Sequence, residues 1–285
     1  MRNYCNFDAF FLQNNYLRIM KRLFLFAVLL GLLAACTDDT LVPEQLQIPA
    51  TLPSMPDDIG IKWNAGDKVS VFSLTHIDDD AVHGHLQYDH LIFTATGSGT
   101  TTYLSGEAPK GADSFVAVYP YDEANEMNGS GFNVIIPEVQ SAATAGDLNF
   151  PLWAWAMAYR DKLSFNFQPV CTYLSFTLQS SDVTSVRIGT DGGYIAGIFG
   201  SYPDESKIVL TEWDYNPLFH DVDVLPPADV FKAGQKYYII VAPTTLFNVF
   251  VTLYQGERAT EITAIESTIY PKAGDVIDLG TFKAK

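Results

Sequence analysis

The chain is nearly without cysteine, with three in 285 residues, at positions 5, 36 and 171. Thiols so few and so widely spaced exclude a disulfide framework and leave stability to the core. Cations are scarce as well: 17 Lys and Arg stand against 33 Asp and Glu, a formal net charge of −16. Such a surface repels phosphate backbones, and with no basic stripe to override it nucleic acid is excluded as a partner. No apolar run reaches the ~20 residues that a membrane-crossing helix needs. Also missing are a G-x-S-x-G elbow, a P-loop, a glycine-rich phosphate fingerprint, an HExxH helix and any Cys/His arrangement of recognisable spacing. Asp221 and Asp223 lie near His220, but a glycosidase pair is defined by separation in space, not along the chain. The expectation is a non-enzyme with no cofactor.

What is present begins near the N-terminus. Lys21 and Arg22 precede an 11-residue apolar run, Leu23 to Leu33, which leads into Ala34-Ala35-Cys36. A positive start, an apolar core too short to span a bilayer and small residues ahead of a cysteine together resemble a bacterial lipoprotein signal. Cleavage is expected between Ala35 and Cys36, with Cys36 as the lipidated residue. Anchoring by more than one acyl chain is stable, because each buried methylene contributes ~0.8 kcal/mol. Asp38 and Asp39 follow at once and resemble the acidic export signal of Bacteroidota surface lipoproteins; the plainer reading is a solvated tether. Residues 1–19 read as an upstream extension ahead of Met20, a start site set too early, and residues 20–35 as the signal peptide. The expected location is the outer membrane, lipid-anchored and facing outward.

Removing residues 1–35 takes away four basic residues and one acidic, leaving 13 against 32 and a net charge of −19. Hydrophobic content of 48%, with 19 Phe and 15 Tyr, marks a chain that builds a core rather than a disordered one. With Cys36 acylated and Cys5 removed, Cys171 is the remaining thiol, expected as a small buried hydrophobe.

Pro43, Pro49, Pro53 and Pro56 fall within residues 36–58, a composition that keeps chain extended and reads as a tether. From Trp63 onward the apolar runs are short, rich in Val, Ile, Phe, Tyr and Thr, and bounded by Gly, Pro, Asn or Asp, which predicts an all-β body. A two-residue period puts Val69 with Val71 on one face, and Phe132 with Val134 and Ile136. Leu174, Phe176 and Leu178 alternate with Ser175 and Thr177, the pattern of a half-buried antiparallel strand. Val249, Val251 and Leu253, then Gln255-Gly256-Glu257-Arg258, then Ile262 and Ala264 predict a hairpin. The charged stretch Tyr159-Arg160-Asp161-Lys162 marks the expected boundary between two β-sandwiches, residues 59–160 and 161–285. A single barrel-like domain is the alternative.

The segment Trp63-Asn64-Ala65-Gly66-Asp67-Lys68-Val69-Ser70-Val71-Phe72 resembles the W-x-x-G-D-x-h-x-V-F signature of fimbrillin-like proteins of Bacteroidota. In order after it come Ala117-Val118-Tyr119-Pro120-Tyr121, similar to the family's A-x-Y-P-Y, and Ile136-Pro137-Glu138-Val139-Gln140, similar to I-P-x-x-Q. Ile195-Ala196-Gly197 and Tyr237-Tyr238-Ile239-Ile240-Val241-Ala242-Pro243 match further elements, so the resemblance spans about Trp63 to Gly280. It implies two tandem transthyretin-like β-sandwich domains and a structural and adhesive role in surface fimbriae as stalk, anchor or tip. The implied partners are other fimbrial subunits, joined by donor-strand exchange, which is strand addition at a sheet edge. Family stalk subunits are released by cleavage after an N-terminal arginine, yet residues 37–61 contain neither Arg nor Lys. That departure tilts the expected role towards a subunit that stays tethered.

His76, His83, His85 and His90 lie close to Asp78, Asp79, Asp80 and Asp89. His83, His85 and His90 are the candidate metal ligands, but without a catalytic spacing the expectation is a polar loop and no metal. Trp153, Trp155 and Met157 alternate with alanines, a pattern that fits either a platform for sugar or, as large aromatics usually do, the core. The sugar reading gives the alternative function, a surface glycan-binding lipoprotein for nutrient capture. Asn128-Gly129-Ser130 reads as a turn.

Overall fold

Short β-branched and aromatic runs separated by Gly, Pro and Asp leave no room for helix, and the computed structural model contains none among the residues it describes. These are residues 43–56, 59–77, 85–128, 131–147, 152–204, 207–211 and 217–284. Pro43–Lys285 forms one compact unit. The strands are β1 (Pro43–Thr51), β2 (Lys68–Ile77), β3 (His85–Ala95), β4 (Thr101–Pro109), β5 (Ser114–Tyr119), β6 (Met127–Asn128), β7 (Gly131–Ile136), β8 (Val139–Ser141), β9 (Ala154–Tyr159), β10 (Phe165–Asn166) and β11 (Gln168–Pro169). They continue as β12 (Thr172–Leu178), β13 (Ser185–Gly189), β14 (Ala196–Asp204), β15 (Lys207–Thr211), β16 (Leu218–Phe219), β17 (Asp221–Leu225), β18 (Lys236–Val241), β19 (Val249–Gln255), β20 (Arg258–Ile265) and β21 (Val276–Phe282). The fold is all-β.

The largest sheet has eight strands in the order β10-β1-β4-β3-β2-β5-β9-β11. Its two ends, β10 and β11, are separated in sequence by Phe167 alone, so one short stretch borders β1 on one side and β9 on the other. Phe167 N donates to Thr51 O at 2.9 Å and Val170 N to Trp153 O at 2.8 Å. The sheet therefore closes on itself through these two short strands, which shortens the open edges that invite unwanted pairing. Val69, Ser70, Val71, Phe72 and Ser73 of β2 are all buried, as are residues 114–118 of β5; both faces of these strands are covered.

Three smaller sheets follow: β18-β12-β21, β20-β19-β13-β17-β8, and β15-β14-β7-β6 with β16 also on β14. Residue 160 does not separate the sheets. Strands β7 and β8 precede it, yet β7 pairs with β14 and β8 runs parallel to β17, while β10 and β11 follow it and belong to the first sheet. A single apolar core runs from Ile48 to Ala284.

Phe132, Val134 and Ile136 share a buried face as their spacing predicts, and β19 and β20 form the expected hairpin with Gln255 opposite Arg258. Gly256 turns it at φ 61, in the left-handed region where glycine carries no Cβ penalty. Two expectations change. The strand β12 is not half-buried: Ser175 is as inaccessible as Leu174 and Phe176, because β12 lies between β18 and β21 with both faces covered. The span 36–58 is not tether throughout, since β1 occupies Pro43–Thr51 and its Ile48 and Ala50, with Leu52 just after, are buried.

Candidate functional site

The segments that carry the family resemblance come together as joints of the fold. Asp67 Oδ2 accepts from Asn64 N at 2.8 Å, closing the turn in which Gly66 sits at φ 97. The same carboxylate accepts from Tyr119 Oη at 3.3 Å, and the Trp63 ring meets the Tyr119 ring edge-on at 5.0 Å. Burial, then the Asp67 charge and hydrogen bond, push the Tyr119 hydroxyl up to about 12, so it stays a donor at any physiological pH. Gln140 plays a similar part across the smaller sheets. Its Nε2 donates to Pro137 O and Ile240 O at 3.0 and 2.8 Å, while its Oε1 accepts from Ile240 N at 3.1 Å. An amide thus stands in for a strand residue beside β18. Ala242 N donates to Ile195 O at 3.0 Å, tying two more of the resembling segments. These residues build structure, and no nucleophile or base is aimed at an open space among them.

The first strand is the element with the most to say about assembly. All nine residues of β1 pair antiparallel with β4, and the last two also pair in parallel with β10. Prolines 43 and 49 lie where β10 does not reach, on the stretch that still behaves as a sheet edge and tolerates a missing N–H. Ile48 and Ala50 point into the core, with Gln45 and Gln47 exposed ahead of them and Pro49 exposed between them. Glu44 near its start is ion-paired with Arg160, whose Nη2 also donates to Lys110 O at 2.6 Å. Arg160 is the first arginine after Arg22.

Cys36, Asp38, Asp39 and His83 lie outside the described residues. His85 opens β3 and His90 stands five residues on, an odd separation that places the two positions on opposite faces of the sheet. The His90 ring stacks on Phe72 at 4.7 Å with 18° between planes, and burial of that face lowers its pKa from the usual value. Among the described residues no group of three or more His, Cys, Asp or Glu is placed to hold a metal. Trp153 and Trp155 are buried together with Ala154, Ala156 and Ala158, so they present no exposed platform. Cys171 is wholly buried, and burial pushes its thiol far up. His220 stacks on Tyr194 at 4.3 Å. Asp223 binds Arg187 through two bonds of 2.7 and 2.8 Å, and this pairing holds its carboxyl below the usual range. Asp221 is 3.8 Å from the same guanidinium. The aspartates near His220 thus face an arginine across the strands.

No family model matches the sequence, and no curated protein matches it. Among solved structures, a "putative cell adhesion protein" from Bacteroides ovatus superposes with a TM-score of 0.50, at 12% identity, covering 85% of this chain and 93% of that one. A "putative cell adhesion protein" from Bacteroides uniformis is 16% identical with a TM-score of 0.45, covering 77% and 84%. The tip fimbrial protein Mfa3 from Porphyromonas gingivalis, truncated at its C-terminus, is 9% identical with a TM-score of 0.36, covering 79% and 83%. The chain has the all-β fold of the Bacteroides ovatus protein.

Proposed function

We propose that the chain is a fimbrillin-like surface lipoprotein, anchored at the outer membrane through Cys36, that acts in a fimbria or in adhesion as a subunit, anchor or tip protein. Its contacts are with other proteins, and its residues do no chemistry. The single observation that carries this reading is the seat of β1. A strand that begins seven residues after the proposed lipid site pairs with β4 along its whole length and with β10 at its last two residues. A fimbrial subunit that receives a partner's strand must first empty such a place, because strand addition needs free backbone donors and acceptors. Here the place is filled from within, by a segment with neither Lys nor Arg from residue 37 to 61. The chain therefore contributes to a fibre from its base or end rather than as a cleaved shaft unit.

Electron microscopy of surface fimbriae with a gold label on this chain tests the reading. Label at fibre bases or ends is the expected result. Label repeated along shafts contradicts the tethered role, and label with no fibres attached contradicts the fimbrial one.

A further inference from the structure

Beyond β5 the chain turns through Tyr119-Pro120 and folds back over β2 and β3, leaving a cavity of about 320 Å³ lined by Phe72, His90, Glu123, Asn125, Glu126 and Met127. Asn125 is 3% exposed. Its Nδ2 donates to Ser70 Oγ and to Pro120 O, both at 3.0 Å. A carbonyl only accepts, so Pro120 fixes which end of the amide is nitrogen, and both amide hydrogens are spent inward. The Asn125 Oδ1 is left with no protein partner among the described residues. That oxygen is not sealed in the core but opens into the cavity, so its donor is water or whatever group the cavity holds.

The rest of the lining agrees on what that donor is. Glu123 and Glu126 are exposed at the rim and add two carboxylates, which only accept when ionised. Phe72 and the His90 ring stacked on it supply an aromatic surface, and Met127 an adaptable apolar one. Lys68 holds its Nζ 5.9 Å from the Tyr121 ring. Partial burial lowers the His90 pKa, which favours the neutral ring beside a positive group.

We infer that this cavity binds an organic cation, an ammonium or guanidinium group on a short apolar stem, with the charged head donating to Asn125 Oδ1 and the two glutamates and the stem lying on the His90 ring and Met127. This is the chemistry of a lysine or arginine side chain, and equally of a free alkylamine. The inference stands apart from the fimbrial reading, since it depends only on residues that line the cavity.

The test is a titration followed by NMR of the Met127 methyl and the His90 ring, with butylammonium, butanol and butyrate as probes. Butylammonium should give a saturable shift in the millimolar range, with butanol and butyrate weaker by roughly tenfold or more. Glu123→Gln with Glu126→Gln, both at exposed positions, should weaken butylammonium roughly fivefold to tenfold and leave Tm unchanged; each single variant should fall between. Butanol binding as well as butylammonium, unchanged affinity in the double variant, or no saturable shift would each overturn the site. Nα-acetyl-lysine methylamide separates the sources: tighter binding than butylammonium supports a peptide side chain, and equal binding supports a free amine.

Discussion

Strands β1 and β12 have the same neighbours in kind and opposite surroundings. Each lies between one antiparallel and one parallel partner, β4 and β10 for the first, β18 and β21 for the second. In β12 every residue is buried except Thr177, so side chains from both faces lock it. In β1 burial increases along the strand, and only Ile48 and Ala50 are fully enclosed. Backbone pairing alone makes a strand; burial of both faces makes it irreplaceable. By that measure β12 is part of what the fold is, while β1 is a strand held along one apolar row, with the loosest grip nearest the proposed lipid site.

The comparison breaks most visibly at the cores of the two strands. Phe176→Ala in β12 removes a ring packed against Phe231 and Tyr237 and should destabilise by about 3–5 kcal/mol. Global unfolding in denaturant would register it, and a loss under ~1 kcal/mol would mean that β12 is not as enclosed as described. Ile48→Ala in β1 should cost about 2–4 kcal/mol if the strand unfolds only with the whole body. A smaller global effect, with exchange of β1 amides rising instead, would show that β1 opens by itself.

Surface charge sharpens the same contrast at lower energy. Because pairing with Arg187 depresses the Asp223 carboxyl, its contribution is complete above the ordinary carboxylate range and is lost as pH falls through its lowered value. The group is about one-third exposed, so screening limits the contribution to about 1 kcal/mol or less. Asp223→Asn should therefore lower Tm slightly at pH 7, and the difference should shrink below about pH 4. Smallest of all is Glu44→Ala, worth about a few tenths of a kcal/mol at a pair that is about one-third exposed. Faster hydrogen exchange confined to residues 43–47 is expected, since only the N-terminal half of β1 leans on Arg160.

The elements readable from sequence were those whose partners are local. The hairpin β19–β20 and the buried face of β7 follow from period and turn chemistry within a dozen residues. The strand β1 was hidden because prolines and glutamines in alternation also describe an extended tether; only β4 and β10, far along the chain, turn it into sheet. Ser175 looked solvent-facing because its polarity says nothing of a second layer above it. The strands β7 and β8 precede the charged stretch at Arg160 and still join the later sheets, a crossing that no composition shift records. The resembling motifs were visible, but their meaning was not. Trp63, Asp67 and Tyr119 meet in one joint, and Gln140 caps β18, so these residues report the fold rather than a reaction. The cavity at Asn125 left no sequence signal, since Ser70 and Pro120 define it from 55 and 5 residues away.

The central claim is that β1 remains covalently part of the protein that reaches the cell surface. Mass spectrometry of the chain extracted from intact cells measures this directly. A mature form beginning at lipidated Cys36 and retaining Pro43–Thr51 is the predicted result; a form beginning beyond Thr51, with β1 removed, would contradict it.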